Sequence, residues 1–122
     1  MPRRKRILCV EDHPETGEFI QVLLSEYEIV RAYTLADGLR RATGGGFDLY
    51  LLDYRLPDGT GLELCSRIRA FNRKTPILIY SGANFISEQE AISAGARGFI
   101  EKKGPQFIDR LEGEIYRLLR AH

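Results

Sequence analysis

Five polar residues draw attention because each follows a short apolar run. Glu11-Asp12 follow Ile7-Leu8-Cys9-Val10, Asp53 follows Leu49-Tyr50-Leu51-Leu52, Ser81 follows Ile77-Leu78-Ile79-Tyr80, and Lys102 comes just after Gly98-Phe99-Ile100. If those runs are strands of one parallel sheet, their ends share an edge, and residues spread over about ninety positions meet in one crevice. Three carboxylates there repel one another. At ~4 Å and an effective dielectric of ~20 a like-charge pair costs roughly 4 kcal/mol. Such a cluster either raises a pKa or holds a cation. Hard oxygen donors favour Mg²⁺. A carboxylate is also a competent nucleophile for phosphoryl transfer, giving an acyl phosphate. Ser81 suits a hydrogen bond to a phosphoryl oxygen, and Lys102 a point charge beside it. Alone, each residue has an ordinary reading as a turn former, a cap or a solvated charge. Their coincidence at strand ends is what carries the chemistry.

The elements that must position these residues are legible as alternating short apolar runs and longer amphipathic ones. Pro14 to Ser25 has Phe19, Ile20, Leu23 and Leu24 at helical spacing, with Pro14 suited to a first turn. Glu28 to Tyr33 reads as a second strand. Thr34 reads as an N-cap with Asp37 three residues on, Leu35, Leu39 and Ala42 line one face, and Gly44-Gly45-Gly46 stops that helix. After Asp53 the segment Arg55-Leu56-Pro57-Asp58-Gly59-Thr60-Gly61 is dense in turn residues. Leu62, Leu64, Cys65, Ile68 and Phe71 supply the apolar side of the next helix. Pro76 opens the fourth strand. Ser87 to Glu90 is a capping-box pattern for a helix that stops at Gly95. The last helix begins near Pro105 and buries Phe107, Ile108, Leu111, Ile115, Leu118 and Leu119. Five strands and five helices, with strands that hardly alternate, predict an α/β protein: a three-layer α/β/α sandwich on a parallel sheet.

Length and charge agree. The 122 residues are one domain's worth, 43% are hydrophobic, and 18 Lys and Arg against 17 Asp and Glu leave a formal charge of +1. That balance gives no reason to expect direct nucleic-acid or membrane binding. The basic run Pro2 to Arg6 reads as a solvated lead-in to the first strand, with a phosphate-binding arm as the sharper alternative. Only four apolar residues follow it before Glu11, too few for a signal peptide. Cys9 and Cys65 read as core residues in a reducing compartment, and the expected location is cytoplasmic.

The whole chain resembles the receiver domains of two-component response regulators, of the chemotaxis-regulator kind. Ile7 to Asp12 looks like the family's first strand with its acidic pair. Asp53-Tyr54-Arg55-Leu56-Pro57-Asp58-Gly59-Thr60-Gly61 is similar to its phosphorylation loop. Ala94-Gly95-Ala96-Arg97-Gly98-Phe99-Ile100-Glu101-Lys102 resembles the segment with the switch aromatic and the lysine. The resemblance implies a flavodoxin-like strand order 2-1-3-4-5 over a single domain, residues 1–122. It implies that Asp53 is the phosphoacceptor and that Mg²⁺ is held by Asp12, Asp53 and the Arg55 carbonyl, with Glu11 acting through water. Ser81 and Lys102 would bind the phosphoryl group, and Phe99 would turn inward as Ser81 moves. A histidine kinase or phosphotransfer protein is the implied donor. A downstream effector and a phosphorylation-dependent homodimer through the 85–121 face are the implied listeners. The domain is then no enzyme beyond its own phosphorylation and dephosphorylation. Arg55 and Ala83, two residues after Asp53 and Ser81, would flank the path of an attacking water.

Lys103 departs from the family, which usually has proline there. A cis bond before a non-proline residue costs ~2.5–4 kcal/mol, so the Lys102–Lys103 bond is expected to be trans, with Gly104 redirecting the chain into Pro105. Three other readings compete. A haloacid-dehalogenase-type phosphatase wants an acid where Arg55 stands. A nucleotide- or flavin-binding module wants a glycine-rich loop where Glu11-Asp12-His13-Pro14 stand. A receiver-like interaction module that is never phosphorylated would have no need of the full polar set.

Overall fold

The computed structural model describes residues 3–82 and 85–120; Pro2 of the basic run, Ala83, and residue 121 at the end of the 85–121 face lie outside the described residues. Strands and helices alternate. They run β1 (Arg6–Val10), α1 (Pro14–Leu23), β2 (Glu28–Ala32), α2 (Leu35–Thr43), β3 (Leu49–Asp53), α3 (Gly61–Arg69), β4 (Ile77–Ser81), α4 (Glu88–Ala94), β5 (Gly98–Glu101) and α5 (Gln106–Arg120). All five strands pair in parallel in the order β2-β1-β3-β4-β5, as expected. Every residue of β3 and β4 is buried, which is why their sequences do not alternate.

The two-residue period of a strand sorts the core into two layers. Ile7, Cys9, Leu49, Leu51, Leu78, Tyr80 and Ile100 cluster with Ile20 of α1 and with Phe107, Leu111, Ile115 and Leu118 of α5. Leu8, Val10, Tyr50, Leu52, Ile77 and Ile79 cluster with α2, α3 and Ala91 of α4. Cys9 and Cys65 are free and buried, as expected.

Local chemistry sets the element ends. Pro14 occupies the first turn of α1. The helix stops at Leu23 rather than Ser25, because Leu24 leaves helical geometry and its N–H closes on the Ile20 carbonyl. The Thr34 hydroxyl accepts from the Asp37 N–H, but the Asp37 carboxylate turns to Arg40 and Arg41 instead of closing a box. The Asp58 carboxylate takes the next two amides of α2, Leu35 (2.7 Å) and Ala36 (3.0 Å), and so ties the loop after β3 to that helix. Ser87 and Glu90 form the full capping box, and Gly95 ends α4 at φ +113°.

Several details depart from the sequence reading. Arg55–Leu56 and Gly59–Thr60 form a small antiparallel hairpin rather than a plain loop. Phe19, Phe71 and Ile108 are half exposed, Phe71 because α3 ends two residues before it. The basic run is not simply solvated. Arg3 pairs with Asp48 at 3.1 Å, the Arg4 guanidinium donates to the Ser25, Glu26 and Tyr27 carbonyls, and Arg6 pairs with Glu28. These arginines stitch the start of β1 to its neighbours. No cis peptide bond occurs among the described residues, and Gly104 takes φ +73°, as expected for the trans Lys102–Lys103 connection.

Candidate functional site

Continuing each strand's alternation by one or two residues assigns the polar groups to sides of the sheet. Glu11 follows Cys9, and Asp53 follows Leu51, so both emerge on the α1/α5 side with Tyr80. Ser81 falls on the opposite parity, as does Phe99, which is partly buried against the α2/α3/α4 layer. The polar residues at the strand ends do converge. One ligand atom from each of Glu11, Asp12, His13 and Asp53 lies within 4.8 Å of the others.

The acidic corner is unusually deep. Glu11 is 2% exposed and Asp53 8%. The Tyr80 hydroxyl donates to Glu11 Oε1, and the His13 backbone N–H donates to Glu11 Oε2 at 3.0 Å. His13 Nδ1 stands 3.2 Å from Glu11 Oε2 and 3.3 Å from Asp12 Oδ1. That Asp12 oxygen is buried and accepts no hydrogen bond from the described residues. Burial, the Glu11 charge and the hydrogen bond with Glu11 together push the Asp53 carboxyl up to about 7, against the Arg55 N–H and Lys102. Burial works against the Glu11 charge as well. Its donors Tyr80 and His13, then Asp53 and Lys102, more than offset this and hold Glu11 below the ordinary value. The two carboxyls are thus driven apart in their affinity for a proton, Asp53 upward and Glu11 downward. An orphaned oxygen beside a pair of mutually repelling carboxylates fits a small hard dication, which would satisfy all three at once.

The backbone around Asp53 is fixed from both sides. The Tyr54 N–H donates to the Tyr80 carbonyl at 2.9 Å, and the Gly61 N–H to the Tyr54 carbonyl at 2.7 Å. A Cβ on Gly61 would stand 2.5 Å from the Asp53 carbonyl oxygen, so the returning loop passes this close only with glycine there. The Arg55 guanidinium leans away onto the Phe85 ring, 5.0 Å from its centroid, and Phe85 in turn stacks on Tyr54 at 5.8 Å.

On the other flank, Ser81 is fully buried, and its carbonyl accepts from the Lys102 N–H at 2.7 Å. The Lys102 ammonium donates to the Thr16 hydroxyl of α1 at 3.2 Å. It sits on the same side of the sheet as Glu11 and Asp53, and its charge acts on both.

A family described as "Response regulator receiver domain" matches residues 7–112. The chain belongs to this family. Among curated relatives, the response regulator ArlR of Staphylococcus saprophyticus is 36% identical over 118 residues, covering 94% of this chain and 52% of that protein. ArlR of Staphylococcus aureus is 34% identical over the same span. The chain therefore spans about half the length of these relatives. A putative response regulator from Chloroflexus aurantiacus superposes with TM-score 0.87 at 25% identity, over 98% of this chain and 100% of that one. The response regulator TrrA of Thermotoga maritima, in complex with Mg²⁺–BeF, superposes with TM-score 0.84 at 28% identity, over 93% and 98%.

Three polar partners in this receiver domain escaped the sequence reading. Parity puts Tyr80 on the α1/α5 side with Glu11, and it pairs in register with Asp53, but neither signal shows that its hydroxyl reaches Glu11. His13 was visible as the neighbour of two acids. Thr16 carried no signal, since its meeting with Lys102 joins two elements 86 residues apart.

Proposed function

We propose that residues 1–122 act as one response regulatory domain that takes a phosphoryl group on Asp53, with Mg²⁺ bound beside it. The observation that carries this reading is the buried Glu11–Asp53 pair next to the orphaned Asp12 oxygen. In this reading Asp12, Asp53 and the Arg55 carbonyl hold the ion and Glu11 reaches it through water. The chemistry supplied by Mg²⁺ there is charge neutralisation on the transferring oxygens. An Asp53 carboxylate oxygen attacks phosphorus. The donor's bond to phosphorus breaks, and the donor leaves with that electron pair. Ser81 then hydrogen-bonds a phosphoryl oxygen. Lys102 leaves Thr16 for the new anion, a stronger partner than a hydroxyl. The space beside Ser81 admits the Phe99 ring, and the surface of α4, β5 and α5 changes shape.

The donor is a histidine kinase or phosphotransfer protein, and the work is signalling rather than turnover of an external substrate. The changed face, residues 85–121, would meet an effector or a second copy of the chain. The beryllofluoride in the Thermotoga relative is a stand-in for a phosphoryl group and supports the reading by likeness. No helix among the described residues is long and apolar enough to cross a membrane, consistent with the cytoplasmic setting we propose. The deciding experiment is intact-mass measurement after acetyl phosphate with MgCl₂. One added phosphoryl group is expected, absent in Asp53→Asn and absent with EDTA. Incorporation undiminished by EDTA would overturn the reading.

A further inference from the structure

We infer that Tyr80 is a positioning residue of the cation site: its hydroxyl fixes the Glu11 carboxylate in the orientation that serves a bound divalent ion through water. The inference rests on the function proposed above and deepens it.

A carboxylate as buried as Glu11 needs donors. It has two from protein hydroxyl and amide groups. The His13 N–H takes Oε2 and comes from the same turn of chain, so it moves with Glu11. The Tyr80 hydroxyl takes Oε1 and comes from β4, 69 residues away. Tyr80 is therefore what ties Glu11 to the strand that carries Ser81. The bond leaves Glu11 little freedom to swing toward a metal as a direct ligand, while its remaining lone pairs can still receive a metal-bound water.

Among the described residues, Glu11 is the hydrogen-bond partner of the Tyr80 hydroxyl. The side chain is fully buried in the α1/α5 layer among Ile7, Cys9 and Leu51, and its ring meets Phe107 at 6.1 Å between centroids. A phenylalanine would fill that space equally well. A buried phenol in such a layer requires a partner, and Glu11 is the partner it has. Tyr80 also reaches Asp53's neighbour, since its carbonyl accepts the Tyr54 N–H. One residue thus touches both acidic strand ends, by side chain at β1 and by backbone at β3. A shift of Ser81 at the end of β4 would be felt at Glu11 through Tyr80.

The test is a calorimetric MgCl₂ titration of the wild type, Tyr80→Phe, Glu11→Gln and the double variant, each checked for fold by circular dichroism. Loss of an outer-shell partner typically lowers metal affinity about 10–100-fold, and Tyr80→Phe should fall in that range. The double variant should bind no more weakly than Glu11→Gln alone. Acetyl phosphate incorporation in Tyr80→Phe should need more MgCl₂ but reach the wild-type plateau, a split that a loosened core would not give. Wild-type affinity in Tyr80→Phe would overturn the inference, as would losses that multiply in the double variant. A wild type that binds no Mg²⁺ would take down the underlying reading of the site as well.

Discussion

At the ends of β1 and β3 the polar groups are already in contact: Glu11 lies on Tyr80 and His13, its charge helps to raise the Asp53 carboxyl, and the backbone just after Asp53 is held through Tyr54 by Tyr80 and Gly61. On the other flank, around β4, β5 and the Arg55 side chain, the groups that would answer an anion are held by other partners. Lys102 rests on Thr16, Phe99 lies against the α2/α3/α4 layer, and Arg55 reaches over to Phe85. One flank of the crevice is preformed and strained by its own charge. The other must exchange partners before it can grip anything. On the function proposed above, the difference would assign an order: the acidic flank would bind a cation without rearrangement, and the opposite flank would convert a new anion into movement.

The largest effects should come from breaking the preformed flank. Asp53→Asn should abolish phosphoryl incorporation. Above pH about 7, where both groups would be charged, it should also stabilise the metal-free protein, because it removes one of two like charges from a buried pair. Asp12→Ala should lose both Mg²⁺ binding and incorporation, and Glu11→Ala should lose less, being one water removed. Calorimetry and intact mass separate the two readouts. Equal losses in Asp12→Ala and Glu11→Ala would place Glu11 directly on the ion.

The next effect is electrostatic. Asp53 has its folded pKa raised to about 7, above the unfolded carboxylate value. The folded state thus binds more protons than the unfolded state below about 7, so the Asp53 contribution is fully present at low pH and is lost as pH rises toward 7. Glu11 is shifted the other way, and its contribution appears above its unfolded value and is lost on acidification. Between about pH 5 and 7 the Asp53 trend should dominate, lowering metal-free stability by roughly 1–3 kcal/mol. Urea midpoints at pH 5.5 and 8 in EDTA read this directly. MgCl₂ should flatten the slope, and Asp53→Asn should remove it. A slope of the opposite sign would show that the Asp53 carboxyl is not raised in the folded state.

How much of this was legible in the sequence follows the same division. Strand runs, caps, the order of elements and the convergence of Glu11, Asp12 and Asp53, with the Lys102 charge acting on Glu11 and Asp53, came from local pattern and parallel topology. Those signals are short-range or set by the sheet, and the family resemblance supplied the strand order. The partners that fix the state of the site were not legible. Tyr80 read as one more core residue, and Thr16 as an unremarkable helix position. Both meet their partners through side-chain reach between elements far apart in sequence, which a pattern of apolar positions does not encode. The half-exposed Phe19, Phe71 and Ile108 were misread for a related reason. Helical spacing says which residues share a face, but not how far the neighbouring layer extends over it.

On the mobile flank, Lys102→Ala should uncouple phosphorylation from partner binding or dimerisation far more than Lys103→Ala. The Lys102 ammonium is on the acidic side of the sheet, on Thr16. Thr16→Val sharpens the point. It removes the resting partner of Lys102, so the ammonium should engage the phosphoryl group more readily. A few-fold gain in response per phosphorylated molecule is expected, because a hydrogen bond to a charged group is worth about 1.5–3 kcal/mol before solvent competes for it. A larger defect in Lys103→Ala than in Lys102→Ala would reverse the assignment of the lysine.

The smallest effect concerns lifetime, and it tests whether Arg55 belongs to the mobile flank at all. Its backbone is part of the acidic corner, yet its guanidinium rests on the Phe85 ring, which stacks on Tyr54. A cation over an exposed aromatic is stabilised by about 0.5–1 kcal/mol, which corresponds to a factor of ~2–5 in population. Phe85→Ala removes that resting place and leaves the phosphoryl oxygens as the nearest attraction for the charge. A guanidinium lying there occupies the approach of the attacking water, so the acyl phosphate should survive ~2–5 times longer in Phe85→Ala. Arg55→Ala should shorten the lifetime by a similar factor. Adding Phe85→Ala to Arg55→Ala should then change nothing, because Phe85 acts only through the arginine. Loss of phosphorylated mass with time after donor removal measures all four proteins. A lengthened lifetime in Phe85→Ala that persists without Arg55 would mean that the ring itself sets water access, and Arg55 would then be assigned to the loop rather than to the chemistry.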